Sequence, residues 1–177
     1  MKQRRQWILR IVAGLVLVLA AAGITVVIRD TLMRQDPEAA LPVMDVYYRG
    51  FEEGERLPAM NIAVANYTWR FLFEEVSGEI AGDEGWMWVQ PGFVDANSKL
   101  DLVFTFEPES VRVSTWISAV QEDGEEVNEF FPIPEEDMAD FRAPSATGTY
   151  FYKVDTEWGQ GRTVTYFFAI KVPSITS

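Results

Sequence analysis

Ile11 to Ile28 is a run of eighteen residues without a charged side chain, built almost entirely from Val, Leu, Ile and Ala. An α-helix rises about 1.5 Å per residue, so the run reaches about 27 Å, and with Trp7, Ile8 and Leu9 beside it the stretch is long enough to cross a hydrocarbon core of roughly 30 Å. A buried helix of a soluble protein is normally interrupted by several polar residues on one face, and here Thr25 is the single one. Four Lys or Arg (Lys2, Arg4, Arg5, Arg10) precede the run, whereas Arg29 and Arg34 follow it with Asp30 between them. This asymmetry leads to the expectation of a cytoplasmic N-terminus and an extracytoplasmic remainder. Ala20, Ala21 and Ala22 resemble a signal-peptidase site, but the apolar run continues through Ile24, Val26, Val27 and Ile28, further than a signal peptide needs, which favours an uncleaved anchor.

The rest of the chain has a different character. Residues 1 to 34 hold six basic side chains and one acid, a local charge of +5, while the remaining 143 residues carry nine basic and 26 acidic groups, a charge of −17. Such an acidic body repels phosphate backbones, which argues against nucleic acid as a partner. There is no cysteine and no histidine. Disulfides, thiolate nucleophiles, imidazole bases, Cys or His zinc sites and a lipoprotein anchor are thereby excluded.

The expected layout is a cytoplasmic tail over 1–10, a transmembrane anchor over 11–28, an extracytoplasmic stalk over 29–59 rich in Pro, Gly and acidic pairs, and a β domain over 60–177. Within the stalk, Asp45 to Phe51 reads as a short strand or contact segment whose Tyr47, Tyr48 and Phe51 pack on the domain. Period-two alternation predicts strands at 61–65, 67–74, 100–106 and 111–120, with weaker ones at 86–89 and 127–131. Tyr67, Trp69, Phe71 and Phe73 are expected on one face of their strand. The final hairpin is the clearest: Tyr150, Tyr152, Val154, Thr156 and Trp158 share a face, Val164, Tyr166, Phe168, Ile170 and Val172 share a face, and Gly159, Gln160 and Gly161 form the turn. A short helix is expected over 135–141, after Pro134. The fold class is all-β, with about seven strands after one N-terminal helix.

The stretch Gly148-Thr149-Tyr150-Phe151-Tyr152 resembles the G-x-Y-x-C entry to strand F of immunoglobulin-like β-sandwiches. The resemblance implies an Ig-like antiparallel sandwich in which Tyr150 is the corner tyrosine and Tyr152 stands where antibody-type domains carry a disulfide cysteine. A basic N-terminus, one anchor and a domain ending in this hairpin are similar to anchored extracytoplasmic proteins of Gram-positive bacteria.

Few enzyme classes survive this composition. Signal peptidases share the anchor and an external β domain, but their Ser-Met-x-Pro setting is absent, and Lys153 and Lys171 lie opposite the large apolar residues of the terminal hairpin. Sortases need a cysteine and a histidine. Carboxylate hydrolysis remains open to pairs such as Glu74 with Glu75 or Asp95 with Asp101, although so small a sandwich offers little room for a deep cleft. Asp95, Asn97 and Asp101 supply oxygens at calcium-loop spacing but lack the glycine turn and terminal Glu of an EF-hand, so calcium is a weak expectation and no cofactor is required. Glu135, Glu136, Asp137 and Asp140 suit the start of a short helix. Glu122 to Glu126 reads as a hairpin tip.

The tryptophans invite a binding hypothesis. Trp69 and Trp158 fall on apolar strand faces and are expected in the core. Trp116 lies with Arg112, Ser114 and Ser118 opposite the apolar face, and Trp86 and Trp88 lie in a glycine-flanked segment. Trp86, Trp88, Trp116 and Arg112 are therefore the candidate ligand-binding residues, unless the 31–58 segment covers them. The expected function is a non-catalytic, membrane-tethered extracytoplasmic binding module engaging another envelope protein; the alternative is a cell-wall glycan binder or weak carboxylate hydrolase.

Overall fold

The structure is a computed structural model that describes residues 2–49, 61–120 and 126–174. The apolar run lies within one helix, α1 (Lys2–Gln35). Its segment Arg10–Gln35 is long and apolar enough to cross a membrane, and Leu15, Val16, Leu17, Val18 and Leu19 are all exposed in succession, so the apolar surface runs round the whole helix. Thr25 and Thr31 donate their hydroxyls to Ala21 O and Val27 O one turn back, which leaves no polar side chain unpaired at these positions. The helix continues beyond Ile28 into the stretch expected as stalk. With residues Phe71–Val76 it makes one compact unit; residues Leu41–Arg70 and Ser77–Ser177 make the other.

The second unit is mostly β, with one seven-stranded sheet, curled into a half-barrel, and one two-stranded sheet. In chain order the strands are β1 (Met44–Arg49), β2 (Ala63–Arg70), β3 (Glu75–Glu79), β4 (Gly92–Phe93), β5 (Lys99–Phe104), β6 (Ser110–Val120), β7 (Glu126–Pro132), β8 (Gly148–Glu157) and β9 (Thr163–Val172). The large sheet runs β3-β2-β9-β8-β6-β7, and β4 adds to β9 in parallel; β1 pairs with β5 in the small sheet. Among the described residues there are nine strands, where about seven were expected, and they divide seven and two.

β1 arises inside the segment expected as a stalk. Met44 and Val46 are buried, and Val43 and Thr105 tie the strand's start to β5 through backbone and hydroxyl hydrogen bonds. Tyr47 and Tyr48 are half-buried as expected; Phe51 and the 121–125 tip lie outside the described residues.

The terminal hairpin has the expected alternation, with Tyr152 opposite Phe168 and Val154 opposite Tyr166. Its turn takes left-handed backbone at Gly159 (φ 71°), Gln160 (55°) and Gly161 (75°). Tyr152, Val154, Val164, Tyr166, Phe168, Ile170 and Val113 form the buried face. The small sheet and the segments beside it cover that face: Phe104 meets the rings of Trp158 and Tyr166, Phe141 stands edge-on to Tyr152, and the Tyr166 hydroxyl donates to Pro42 O at 2.7 Å. Trp69 and Trp158 are in the core as expected, edge to face at 5.7 Å, with the Trp158 indole N–H donating to Phe106 O.

Three local expectations are corrected. Residues 61–65 and 67–74 do not form two strands; β2 is a single strand with a bulge between Val64 and Asn66, which turns Ala65 to one face of the sheet and Tyr67 to the other. β2 ends at Arg70, because Phe71 N donates to Glu74 O at 2.8 Å and reverses the chain. Phe73 therefore leaves the face it was expected to share with Tyr67 and Trp69 and is 78% exposed. The stretch 86–89 is not a strand but a 3-10 turn over Gly85–Trp88, closed by hydrogen bonds from Gly85, Met87 and Val89 to the carbonyls three residues back. Gly85 is required there, since a Cβ would lie 2.4 Å from that of Ala81. The helix after Pro134 is shorter than expected, Glu135–Met138.

The Tyr166 hydrogen bond is buried, and Tyr166→Phe leaves the carbonyl of Pro42 without its donor; the substitution is expected to cost about 1 to 2 kcal/mol, measured by denaturant unfolding. Burial pushes the phenols of Tyr152 and Tyr166 well above the usual tyrosine range, with Tyr150 adding to the shift at Tyr152. Their folded values lie above the unfolded value of about 10, so the stability they contribute is present below about pH 10 and is lost as pH rises through the folded values. The expected observation is a melting temperature that falls from about pH 10 upward, with tyrosinate absorbance from these two side chains appearing only as the domain unfolds.

Candidate functional site

The face of the large sheet that carries Trp116 has its own aromatic cluster. β9 presents Phe167 and Ala169 to this side, Phe151 comes from β8, Trp116 from β6 and Phe130 from β7, and each follows from the alternation of its strand. The 3-10 turn carries Trp86 over them. Trp86 lies 4.2 Å from Trp116 at 31°, meets Phe130 and Phe151 edge-on at 5.9 and 5.1 Å, and packs with them on a buried group of Ala65, Val89, Phe167 and Ala169. Phe130 stacks on Phe167 at 5.6 Å. A turn of the β domain itself thus covers Trp116; residues 50–58 of the segment expected to cover it lie outside the described residues. Both indoles are half-buried.

Trp88 differs from its two companions. It is 83% exposed, and in the same short stretch Met87 and Phe93 are 48% and 61% exposed, while Val89 between them is buried and Gly92 pairs with Ile170. The segment is pinned to the sheet at both ends and presents three large apolar side chains outward. Lys171 lies 5.7 Å from the Phe93 ring.

Arg112 is exposed on the same face as Trp116, two inward-outward repeats away, about 13 Å along the strand. Its opposite residue is Asp155, whose carboxylate accepts from Thr165 at 2.7 Å and lies 3.3 Å from Lys153. Arg112 therefore belongs to a polar region beside Thr163 and Thr165 and is not brought to the tryptophans.

On the face of β6 opposite the Trp116 ring, Thr115 and Ile117 border a groove of about 580 Å³ whose lining also includes Tyr150, Glu136, Asp137, Asp140 and Arg142. Tyr150 donates its hydroxyl to Ala146 O at 2.8 Å, four residues upstream, and Gly148 allows this, because a Cβ there would come within 3.3 Å of the tyrosine ring. Tyr152 stacks on Phe168 at 4.7 Å and fills its site with an aromatic pair. Arg142 donates to Asp140 at 2.7 Å and holds that carboxyl below its usual range.

Asp95, Asn97 and Asp101 lie along a turn and the start of β5. Asn97 takes left-handed backbone (φ 61°), its N–H donates to Ala143 O and its carbonyl accepts from Arg142, while Asp101 stands opposite Tyr47 and 4.0 Å from Lys99. Among the described residues no three acidic side chains form a group that could hold a metal ion. Glu74 is paired with Arg34. The sequence reading missed Phe151, Phe130, Met87 and Phe93. The alternation of the final hairpin placed Phe151 with Lys153 on what read as its outer face, and only the turn at Gly85 makes that face a second core.

Compared with protein families, with curated proteins and with solved structures, the chain matches none.

Trp116→Ala is expected to lower stability by about 2 kcal/mol or more, because it opens a gap beneath Trp86. Trp88→Ala is expected to stay within about 0.5 kcal/mol of the wild type. Melting temperatures of the two variants check the difference; equal losses would place Trp88 in the fold rather than at a surface.

Proposed function

We propose that this chain is a membrane-tethered extracytoplasmic binding module without catalytic activity, held by α1 with its N-terminus in the cytoplasm and engaging another envelope protein through the Met87–Phe93 segment. The observation that carries this reading is the exposure of Met87, Trp88 and Phe93 on a stretch whose neighbours are buried or paired. An apolar contact surface on a rigid support loses little conformational entropy on binding. The orientation rests on the excess of Lys and Arg before the apolar run. Kinship with bacterial Ig-like domains is part of the proposal, and the Tyr150 to Ala146 hydrogen bond supports it, since corner tyrosines of such domains bond back to the preceding loop.

A second reading, a cell-wall glycan binder, draws on the groove on the Thr115 and Tyr152 side of the sheet, which the Tyr150 ring lines together with the carboxylates of Glu136 and Asp137. The two readings use different residues, so one experiment separates them. With a photoreactive residue in place of Trp88 in the full chain in native membranes, the partner reading expects a discrete protein adduct that is absent when the same residue replaces Gln160 in the hairpin turn. Identical adducts from both positions, or none, together with retention on purified cell-wall polysaccharide that Asp137→Ala abolishes, favour the glycan reading.

A further inference from the structure

The turn that ends β2 belongs to the same compact unit as the apolar helix. Two contacts join them. The carboxylate of Asp30 accepts a hydrogen bond from the backbone N–H of Leu72 at 3.0 Å, and Arg34, one turn further along the helix, pairs with Glu74. Between these two ties the turn holds Leu72 and Phe73 outward, 54% and 78% exposed. Nothing in the alternation of β2 requires this, because the strand has already ended at Arg70.

The position of the ties along the helix gives the exposure a meaning. Asp30 is two residues beyond Ile28, the end of the apolar run, which is about 3 Å along the helix axis. A bilayer with a hydrocarbon core of about 30 Å is about 40 to 45 Å thick with its headgroups, so several ångströms of headgroup layer lie on each side. If α1 spans the membrane, a backbone group bonded to Asp30 lies in that layer. Leucine and phenylalanine are suited to its acyl boundary, whereas in water they would stand as unpartnered apolar surface. Arg29, next to Asp30, is exposed and suits a lipid phosphate, while the carboxylate of Glu74 is already paired with Arg34.

We propose that the Leu72–Phe73 turn is a second membrane contact, inserted at the headgroup boundary of the bilayer that α1 spans and clamped to the end of the span by Asp30 and Arg34. It rests on the membrane-tether reading above.

The absence of cysteine makes the test direct. Phe73→Cys in the full chain, labelled with the fluorophore NBD and reconstituted into phosphatidylcholine vesicles containing nitroxide-labelled lipid, is expected to give blue-shifted emission quenched by the nitroxide. Gln160→Cys with the same label, in the β8–β9 turn, is expected to be unquenched. Adding Asp30→Ala and Arg34→Ala to the Phe73→Cys chain is expected to reduce the quenching. Resistance to alkaline extraction from the vesicles reports the tether separately. A chain that resists extraction but carries a water-exposed, unquenched label at position 73 overturns the second contact alone, as does a blue-shifted label that lipid nitroxide does not quench, which would mean the turn is covered by protein. A chain that is extracted overturns the tether reading as well.

Discussion

Strand β9 is buried on both faces from Val164 to Ile170, and the architecture of the β domain follows from that constraint. A strand with apolar residues at successive positions has no solvent side, so both surfaces of its sheet need a cover. One cover is the small sheet of β1 and β5 with Phe104, Phe141 and the core tryptophans. The other is much slighter: a 3-10 turn, the bulged strand β2 with Ala65, and the ring of Trp86.

The candidate site grows out of the thinner cover. A single turn cannot bury every residue it contributes, so Trp86 and Val89 face the sheet while Met87 and Trp88 face away. Three tryptophans that look alike in the sequence therefore have different physical roles. Trp86 and Trp116 hold the cover in place, and Trp88 is left exposed. Arg112, grouped with them by strand alternation alone, is separated by the length of strand between the positions and by its own polar surroundings.

At the helix, the informative contacts involve polar groups just past the apolar run. Asp30 and Arg34 would each be a solvated charge if α1 stood by itself; instead they receive a backbone N–H and pair with a carboxylate from the turn after β2. The same turn interrupts the alternation that made Phe73 look like a core residue. Its exposure and its attachment to the helix are two results of one chain reversal at Phe71.

The sequence by itself determined the elements whose signal is local: an apolar helix, because eighteen uncharged residues need no partner to be recognised, and the terminal hairpin with its glycine turn, because period-two alternation and left-handed turn residues are properties of neighbours along the chain. It also determined which chemistries are closed to a chain without cysteine or histidine. Only the tertiary structure decided the fate of residues whose environment comes from distant segments. The pairing of β1 with β5 spans more than fifty residues, the bulge at Ala65 changes which face β2 presents, and the turn at Gly85 brings Trp86 onto Trp116. Alternation says that a residue lies on a given side of its strand; it does not say what covers that side. That depends on contacts between residues far apart in the chain, which is why Trp116 became part of a packed cluster while Trp88 and Phe73 remained exposed.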